Sequence, residues 1–335
     1  MTKITIAIAV YNVEKYIERC IDSVLNQDFS DYEALVVDDR GKDNSINLIE
    51  KMAQSHPNGE KIRIFHHEKN LGTGAVRNTS IDEARGEYIF FMDGDDYLAP
   101  NAIRLLYEAM TANNADVVIG NHQSVFPDGR IEYTTNYKQG CCISEYAIIQ
   151  WMRKNEINHY PVATWNKLFK ISFLRDNGIR CVPWHRHEDI FFGFQTAFFV
   201  KSIATVPEIT YYWAQLQDSY THQDFTEWHL NQYLDIFDRS MNLIIEKEKS
   251  GKLPKELYWI LTNKFLYGFV SRNIWNSSLL SNKQKNDYLK HIREITTHIK
   301  WKDECHWWKQ KLFYMVIKMP YPYYVIKFLG NFITI

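Results

Sequence analysis

The first 120 residues alternate between short apolar runs and amphipathic stretches, and this alternation limits the fold more than any other feature of the chain. The predicted strands are Ile4–Val10, Tyr32–Val37, Ile62–His66, Tyr88–Met92 and Asp116–Gly120, and the predicted helices are Val13–Asn26, Ser45–Ser55, Gly74–Arg85 and Pro100–Asn113. Strands that alternate with helices predict an α/β fold with a doubly wound, mostly parallel sheet, flanking helices and right-handed crossovers.

Three carboxylates follow the fourth predicted strand within four residues. Asp93, Asp95 and Asp96 come directly after Met92. Like charges this close raise one another's pKa unless a positive group lies among them. A hard divalent cation with oxygen ligands is the usual partner of such a group. The pattern therefore predicts a metal site, and an ordinary Asp-rich turn is the alternative that the residues leave open.

Polar residues also stand at the ends of the neighbouring strands. The carboxyl ends of parallel strands form the ligand-binding edge of an open α/β sheet, so Asn12, Asp39 and Asn70 are expected near the acidic cluster. Asp39 is suited to accept a hydrogen bond from a uracil N–H or a ribose hydroxyl. The guanidinium of Arg77 matches phosphate oxygens two at a time. This edge is therefore predicted to bind a nucleoside diphosphate.

Length and composition exclude several classes of protein. A chain of 335 residues predicts a main domain and an appended one. The formal net charge of −1 argues against a nucleic-acid-binding protein. The five cysteines lack the spacing of zinc sites and imply no disulfide framework. No apolar stretch approaches about 18 residues, and the run Ile4–Val10 is too short for a signal peptide, which predicts a cytoplasmic protein.

Four motifs in the first 120 residues resemble the successive signatures of the family 2 glycosyltransferases. They are Ala9–Tyr16, Val36–Asp39 with Asp43–Ser45, Asn70–Gly72 with Val76–Asn78, and Gly86–Ile89 continuing to Asp93–Asp96. This family has the GT-A fold and uses nucleotide-sugar donors. The resemblance implies that residues 1–120 form the nucleotide-sugar-binding half of a GT-A domain and that residues 121–225 form its acceptor-binding half.

The resemblance assigns roles to five residues on the donor side. Asp39 would hold the uracil of a UDP-sugar, with Tyr11 and Val10 lining the base pocket. Asp93 would contact the ribose or the donor sugar, and Asp95 would bind Mn²⁺ or Mg²⁺ directly.

Two positions on the donor side stay open. Asp96 is either a contact near the metal or a helix cap ahead of Pro100. The chain also departs from the family, which often has Asp-Gly-Ser after the second strand, because Arg40 and Gly41 follow Asp39 here. Arg40 either contacts the pyrophosphate or points into solvent.

An acidic pair in the second half supplies the acceptor side. Glu188 and Asp189 precede residues with helical spacing, which puts them at a helix start, where carboxylates also serve as simple N-caps. The Glu-Asp-x-x-Phe pattern resembles the family's acceptor motif, which implies that Asp189 is the catalytic base and that Glu188 binds the acceptor.

A second motif precedes the acidic pair. Residues Thr164–Phe169 resemble a segment of capsule and exopolysaccharide members of the family. Trp165 would stack on a sugar and Lys167 would donate to an acceptor hydroxyl or phosphate. Burial of Trp165 in the core and solvation of Lys167 are the alternatives. Further along, Gln217–Ser219 with His222 resembles a lid over the pyrophosphate.

From Thr226 onward only helices are predicted, so residues 226–335 form a C-terminal helical extension. The predicted helices are Leu230–Lys247, Tyr258–Ile274 and Asn282–Ile299. From Trp307 to Phe332 aromatic and basic residues mix without any acid. Such a segment suits the headgroup layer of an anionic membrane, and packing against the catalytic domain or a dimer partner is the alternative.

The sequence thus predicts an inverting, metal-dependent hexosyltransferase. It would move a hexose from a UDP-sugar to a hydroxyl of a glycan or lipid-linked glycan in capsule, lipopolysaccharide or exopolysaccharide assembly. A sugar-nucleotide nucleotidyltransferase is less suited, because Met1–Asn12 contains no basic Gly-rich loop. A non-catalytic nucleotide-sugar-binding module is the other alternative. The sugar, the acceptor, the linkage and the oligomeric state do not follow from the sequence.

Overall fold

A computed structural model describes residues 2–145, 147–157, 160–184, 187–216, 226–249, 274 and 278–296. The chain divides into two compact units, Met1–Gln223 and Asp224–Ile335. The first unit contains every strand among the described residues, and the second contributes two described helices.

The elements of the first 120 residues alternate as the sequence predicts, apart from one additional two-residue strand. The strands are β1 (Ile4–Val10), β2 (Tyr32–Asp38), β3 (Ile62–His66), β4 (Tyr88–Asp93), β5 (Tyr97–Leu98), β6 (Val117–Val125), β7 (Ile131–Thr134), β8 (Gly140–Ile143), β9 (Lys167–Lys170) and β10 (Ser202–Ala214). The helices are α1 (Ile17–Leu25), α2 (Ser45–Ser55), α3 (Thr73–Glu83), α4 (Ala102–Asn113), α5 (Ala147–Lys154), α6 (Ile171–Asp176) and α7 (Glu188–Phe199), with one 3₁₀ turn at Gly59–Lys61.

The strands form one sheet in the order β3-β2-β1-β4-β9-β6-β10-β5, with β7 beside β6 and β8 beside β10. The strands β3, β2, β1 and β4 are parallel neighbours. This half of the sheet is the predicted one. Parallel strands covered on both faces are apolar along their length, and six of the seven residues of β1 are buried.

The second half of the sheet is more mixed than the alternation predicts. The short strand β9 runs antiparallel between β4 and β6. Its four residues are too few for periodicity to distinguish a strand from a loop, so the sequence does not reveal it. Strand β6 continues to Val125, beyond the predicted end at Gly120, because β10 and β7 pair with its second half.

Helix α1 begins at Ile17, four residues later than predicted. The backbone N–H groups of Tyr16 and Ile17 both donate to the carbonyl oxygen of Val13, so Val13–Tyr16 forms a turn ahead of the helix. The helix then buries one face, as its spacing predicts. The buried residues are Ile17, Cys20, Ile21, Val24 and Leu25.

The described part of the second unit consists of α8 (Glu227–Lys249) and α9 (Asn282–Thr296). Side chains of the two helices pair through Gln284 with Glu227, Tyr288 with Asn231, and His291 with Asp238. The predicted helix Tyr258–Ile274, except Ile274 itself, and the aromatic and basic segment from Trp307 lie outside the described residues. Among the described helices, none has the length and apolar character required to cross a membrane.

Phe90 on β4 tests the packing that supports the sheet. Its side chain is fully buried, so we expect Phe90→Ala to lower the free energy of unfolding by about 3–5 kcal/mol through lost burial and a residual cavity. Urea unfolding followed by circular dichroism measures the change. Tyr133→Ala, on the exposed strand β7, is the matched control and should change stability by less than about 0.5 kcal/mol. Equal effects of the two variants would contradict the assigned core.

Candidate active site

The candidate site lies at the carboxyl ends of β1, β2 and β4. In the register of the sheet Val10 is opposite Asp38, and Ala9 is opposite Asp93. The residues that follow these strands therefore share one edge, as the parallel arrangement predicts.

Asp93, Asp95 and Asp96 form a compact carboxylate cluster at this edge. Each residue offers one oxygen, and these oxygens lie within 4.8 Å of one another. Three oxygen ligands at such spacing suit a hard divalent cation.

Asp96 is the structural member of the cluster. Its carboxylate is buried and accepts hydrogen bonds from the hydroxyl of Tyr211 at 2.6 Å and from the backbone N–H of Ala214 at 2.8 Å. Burial and the neighbouring Asp95 raise the pKa of Asp96 well above its ordinary value. Asp96 caps no helix, because the N-cap of α4 is Asn101. It ties the acidic cluster to the end of β10.

Asp93 is held by a buried arginine. The guanidinium of Arg77 donates to the carboxylate of Asp93 through Nη2 and to the carbonyl oxygen of Met92 through Nη1 at 3.3 Å. Burial lowers the pKa of Arg77, but the nearby acidic groups, Asp93 first among them, more than offset this effect. The pKa of Arg77 therefore lies above its ordinary value. The sequence predicts that Arg77 binds a phosphate, but in this structure its guanidinium binds the carboxylate of Asp93. Its Nε is buried without a hydrogen-bond partner among the described residues.

Asp95 differs from the other two carboxylates because its side chain pairs with no other side chain within the described residues. Burial and the charge of Asp93 raise the pKa of Asp95 to about 6. Its backbone carbonyl accepts from Arg19 at 3.1 Å, and the Arg19 guanidinium lies 4.3 Å from the Tyr97 ring centroid. A half-buried carboxylate that forms no ion pair among the described residues fits the role of a direct metal ligand.

Asp39 organises the turn between β3 and α3. Its carboxylate accepts from the backbone N–H groups of Leu71 at 2.7 Å and Gly72 at 2.8 Å, and it lies 2.7 Å from Nδ1 of His67. A carboxylate has about four acceptor positions, so these three contacts leave one, on a side chain that is buried.

The other residues predicted on the donor side differ in exposure. Tyr11 is 48 % exposed, whereas the Val10 side chain is buried in the core and its carbonyl oxygen accepts from the Asp39 N–H. Arg40 has a positive φ of 60° and donates from Nε to the carbonyl oxygen of His67. Its guanidinium also lies 3.6 Å from the carboxylate of Asp38, and the side chain of Arg40 is half exposed.

The acidic pair stands at the start of α7, where the sequence predicts it. The N-cap of this helix is His187, so Glu188 and Asp189 occupy the first turn instead of capping. Burial raises the pKa of Asp189, while a hydrogen bond from the Ile190 N–H and the charge of Arg77 oppose the shift. Burial and the neighbouring Asp189 raise the pKa of Glu188 to about 8. Carboxylates perturbed in this way are frequent in catalytic sites.

Trp165 and Lys167 are more enclosed than an open acceptor site requires. The Trp165 ring stacks on Tyr211 with a centroid distance of 4.9 Å and an interplanar angle of 8°. The Lys167 side chain is buried and its ammonium donates to the carbonyl oxygen of Ala163. Burial lowers the pKa of Lys167 to about 7, and the nearby Asp189 opposes the shift. Neither residue presents a free surface comparable to that of Tyr11.

Tyr211 belongs to the site, although the sequence gives no sign of it. Its hydroxyl accepts from the Asp93 N–H at 3.2 Å and donates to Asp96, while its ring carries Trp165. More than a hundred residues separate Tyr211 from the acidic cluster, so no local pattern could reveal the contact. The predicted lid residues Gln217–Ser219 and His222 lie outside the described residues.

Comparison with known proteins identifies the family. Residues 5–175, more than half of the chain, match the model of Glycosyl transferase family 2. EpsH of Bacillus subtilis, which is named as a putative glycosyltransferase, is 27% identical over 266 residues, which cover 76% of this chain and 72% of EpsH. The poly(ribitol-phosphate) beta-glucosyltransferase of Bacillus spizizenii is 30% identical over 224 residues, which cover 64% of this chain but only 33% of that protein.

A solved structure confirms the fold. Residues 1–349 of S. aureus TarS, crystallised in complex with UDP, superpose with a TM-score of 0.68 at 21% identity, covering 89% of this chain and 81% of that one. At this identity the likeness concerns the fold alone. Together with the family match and the order of strands, it shows that this chain belongs to glycosyltransferase family 2, has the GT-A fold and is a glycosyltransferase.

Proposed function

We propose that the protein is an inverting, metal-dependent transferase that moves a hexose from a UDP-sugar to a hydroxyl group of a glycan or lipid-linked glycan. One observation carries the proposal. The buried Arg77 guanidinium pairs with Asp93 and also acts electrostatically on Glu188 and Asp189. A carboxylate cluster suited to the donor and an acid pair suited to the acceptor are therefore neighbours around one fixed charge.

The donor side would bind the nucleotide through residues that the sheet edge presents. Asp39 retains one acceptor position for the uracil N–H, and the exposed ring of Tyr11 would cover the base above the buried Val10. Asp93, oriented by Arg77, would accept from the ribose or donor-sugar hydroxyls. TarS has the same fold and was crystallised in complex with UDP, which supports a UDP-sugar as the donor.

Asp95 would be the direct ligand of Mn²⁺ or Mg²⁺, with the neighbouring Asp93 contributing its charge. When bound, the ion would neutralise the negative charge that develops on the departing diphosphate. The residues fit this group, because Asp95 lies close to two further carboxylates and its own side chain forms no ion pair among the described residues.

Asp189 would act as the general base. It would take the proton of the acceptor hydroxyl while that oxygen forms a bond to the anomeric carbon and the bond to the diphosphate breaks. Attack on the face opposite the leaving group inverts the configuration at this carbon. The first turn of α7 favours the carboxylate form of Asp189, and its burial raises the pKa and makes the group more basic.

Glu188 would bind the acceptor. Trp165 and Lys167 would form part of the acceptor-binding half through their packed side chains. The glucosyltransferase among the relatives, named for poly(ribitol phosphate), supports an acceptor in a cell-surface polymer. Residues 1–120 and 121–225 would thus serve the donor and the acceptor. Contact of the C-terminal region, 226–335, with the membrane surface remains a prediction from the sequence, as does a cytoplasmic location.

Asp95→Asn tests the metal role. We expect Mn²⁺ to increase the affinity for UDP in the natural protein but not in the variant, and transfer to fall at least about a hundredfold, because the ion supplies several kcal/mol to the leaving group. Calorimetry of UDP binding with Mn²⁺ or with EDTA measures the first effect. Asp128→Asn, at an exposed carboxylate, is the control. If EDTA does not change the affinity of the natural protein for UDP, the metal site is wrong.

Asp189→Asn separates transfer from donor binding. General-base catalysis is worth about 10²–10⁴-fold, so we expect the rate of sugar transfer to drop by that factor while the Kd for UDP stays within about twofold. Coupled detection of released UDP measures the rate. Asp176→Asn, an exposed acid on α6, serves as the control. If UDP affinity falls in parallel with the rate, Asp189 is not the base.

Glu188 predicts a pH-dependent stability. With its pKa raised to about 8 in the folded protein against about 4.3 in an unfolded chain, the folded state holds a proton that the unfolded state has lost. The free energy of unfolding therefore falls as the pH rises from about 5 to 8. Glu188→Gln should remove this part of the fall. Urea unfolding at several pH values without divalent cations measures the free energy of unfolding of both proteins. If it changes with pH in the same way in the natural protein and in the variant, the raised pKa is wrong.

A further inference from the structure

Two consecutive residues of helix α3 contact Asp93 of the acidic cluster and the segment that precedes the acidic pair. Arg77 binds Asp93 at the donor side, as described above. The next residue, Asn78, is directed toward the segment that leads to α7. Its side-chain amide donates to the carbonyl oxygen of Cys181 at 3.0 Å, and its side-chain oxygen accepts from the Cys181 N–H at 2.9 Å. Asn78 therefore satisfies both backbone groups of one residue in that segment.

The same segment is attached to α7 from the other side. The buried side chain of Gln195, on α7, donates to the carbonyl oxygen of Arg180 at 2.7 Å. Arg180 in turn donates to Asp82, on α3, at 2.6 Å. Residues 180 and 181 thus form a hydrogen-bonded connection between α3 and the helix that begins with Glu188 and Asp189.

Gly74, in the first turn of α3, allows this close approach. A Cβ atom on Gly74 would lie 2.4 Å from the carbonyl oxygen of Val182 and 3.2 Å from Cβ of Glu188. Gly72 is required for a different reason, its positive φ of 79°, because a Cβ there would lie at an ordinary contact distance of 3.5 Å from Trp184. A Gly-containing turn of this kind suits close approach of a phosphate, but in this structure Gly74 admits Val182 and Glu188.

We propose that Asn78 is a positioning residue for Glu188 and Asp189, and that Gly74 is required for the same placement. This inference depends on the proposed function, because it assigns how the acceptor acids are held relative to the donor acids. One helix would fix both: Arg77 sets Asp93, and Asn78 sets the approach to α7. A shift of about 1 Å at a reacting group costs on the order of a hundredfold in rate, so small changes in this connection would reduce transfer.

Asn78→Ala is the primary test. We expect kcat for transfer to fall by at least about tenfold, while KM for the donor and the Kd for UDP stay within about twofold, because Asn78 acts on the acceptor acids and not on the nucleotide. Asn58→Ala is the matched control. Asn58 is also a half-buried asparagine whose amide donates to one backbone carbonyl, that of Leu25 at 2.8 Å. It should leave kcat unchanged.

A second measurement does not depend on activity. Cys181 is a buried free thiol directly at the connection. We expect Asn78→Ala to raise its rate of alkylation by iodoacetamide at least about tenfold, since local opening becomes easier. Cys20, on the buried face of α1, is the internal reference and should keep its rate. Peptide-resolved mass spectrometry distinguishes the two cysteines.

Gly74→Ala provides an independent approach to the same segment. Its new Cβ would displace Val182. The variant should therefore lower kcat while the KM for the donor and the Kd for UDP stay nearly unchanged. The double variant with Asn78→Ala should lose less than the product of the single losses, since both changes act through one segment. If Asn78→Ala keeps the natural kcat and the natural Cys181 alkylation rate, the inference is wrong. If the natural protein itself transfers no sugar and binds no UDP, the proposed function fails instead, while the alkylation test of the connection still applies.

Discussion

The site depends on one buried charge, the guanidinium of Arg77. Several carboxylates converge on the sheet edge, and burial alone would favour their neutral forms. Arg77 pairs directly with Asp93 and opposes the rise in pKa that burial causes at Asp95 and Asp189, from a position that solvent does not reach. A charge-assisted hydrogen bond in this setting is stronger than one at the surface. The donor acids and the acceptor acids are thus parts of one electrostatic system.

Much of this arrangement follows from the sequence, for a specific reason. The apolar runs of β1, β2 and β4 and the periodic face of α1 are local signals, and parallel pairing then requires the strand ends to share an edge. The order of strands and helices along the chain is therefore enough to predict that Asp39, Asp93 and Asp95 lie together. The family motifs added the identity of the fold, which the comparison with TarS confirms.

The remaining features depend on contacts between distant parts of the chain. Strand β9 is too short to carry a period, and its antiparallel position between β4 and β6 follows from tertiary pairing. The contact of Tyr211 with Asp96 and the contact of Asn78 with Cys181 also join distant segments. The burial of Lys167 is similar, because a lysine in a motif gives no indication of whether its ammonium faces a substrate or a backbone carbonyl.

The bond between Asp96 and the end of β10 has a consequence for folding. More than a hundred residues must be synthesised after Asp96 before Tyr211 and Ala214 exist to donate to its carboxylate. Contacts of such sequence separation form slowly, since a long loop must close first. The nascent sheet can pair β1, β2, β3 and β4 early, with the acidic tip still hydrated. Order at the tip is then acquired last, when β10 joins the sheet.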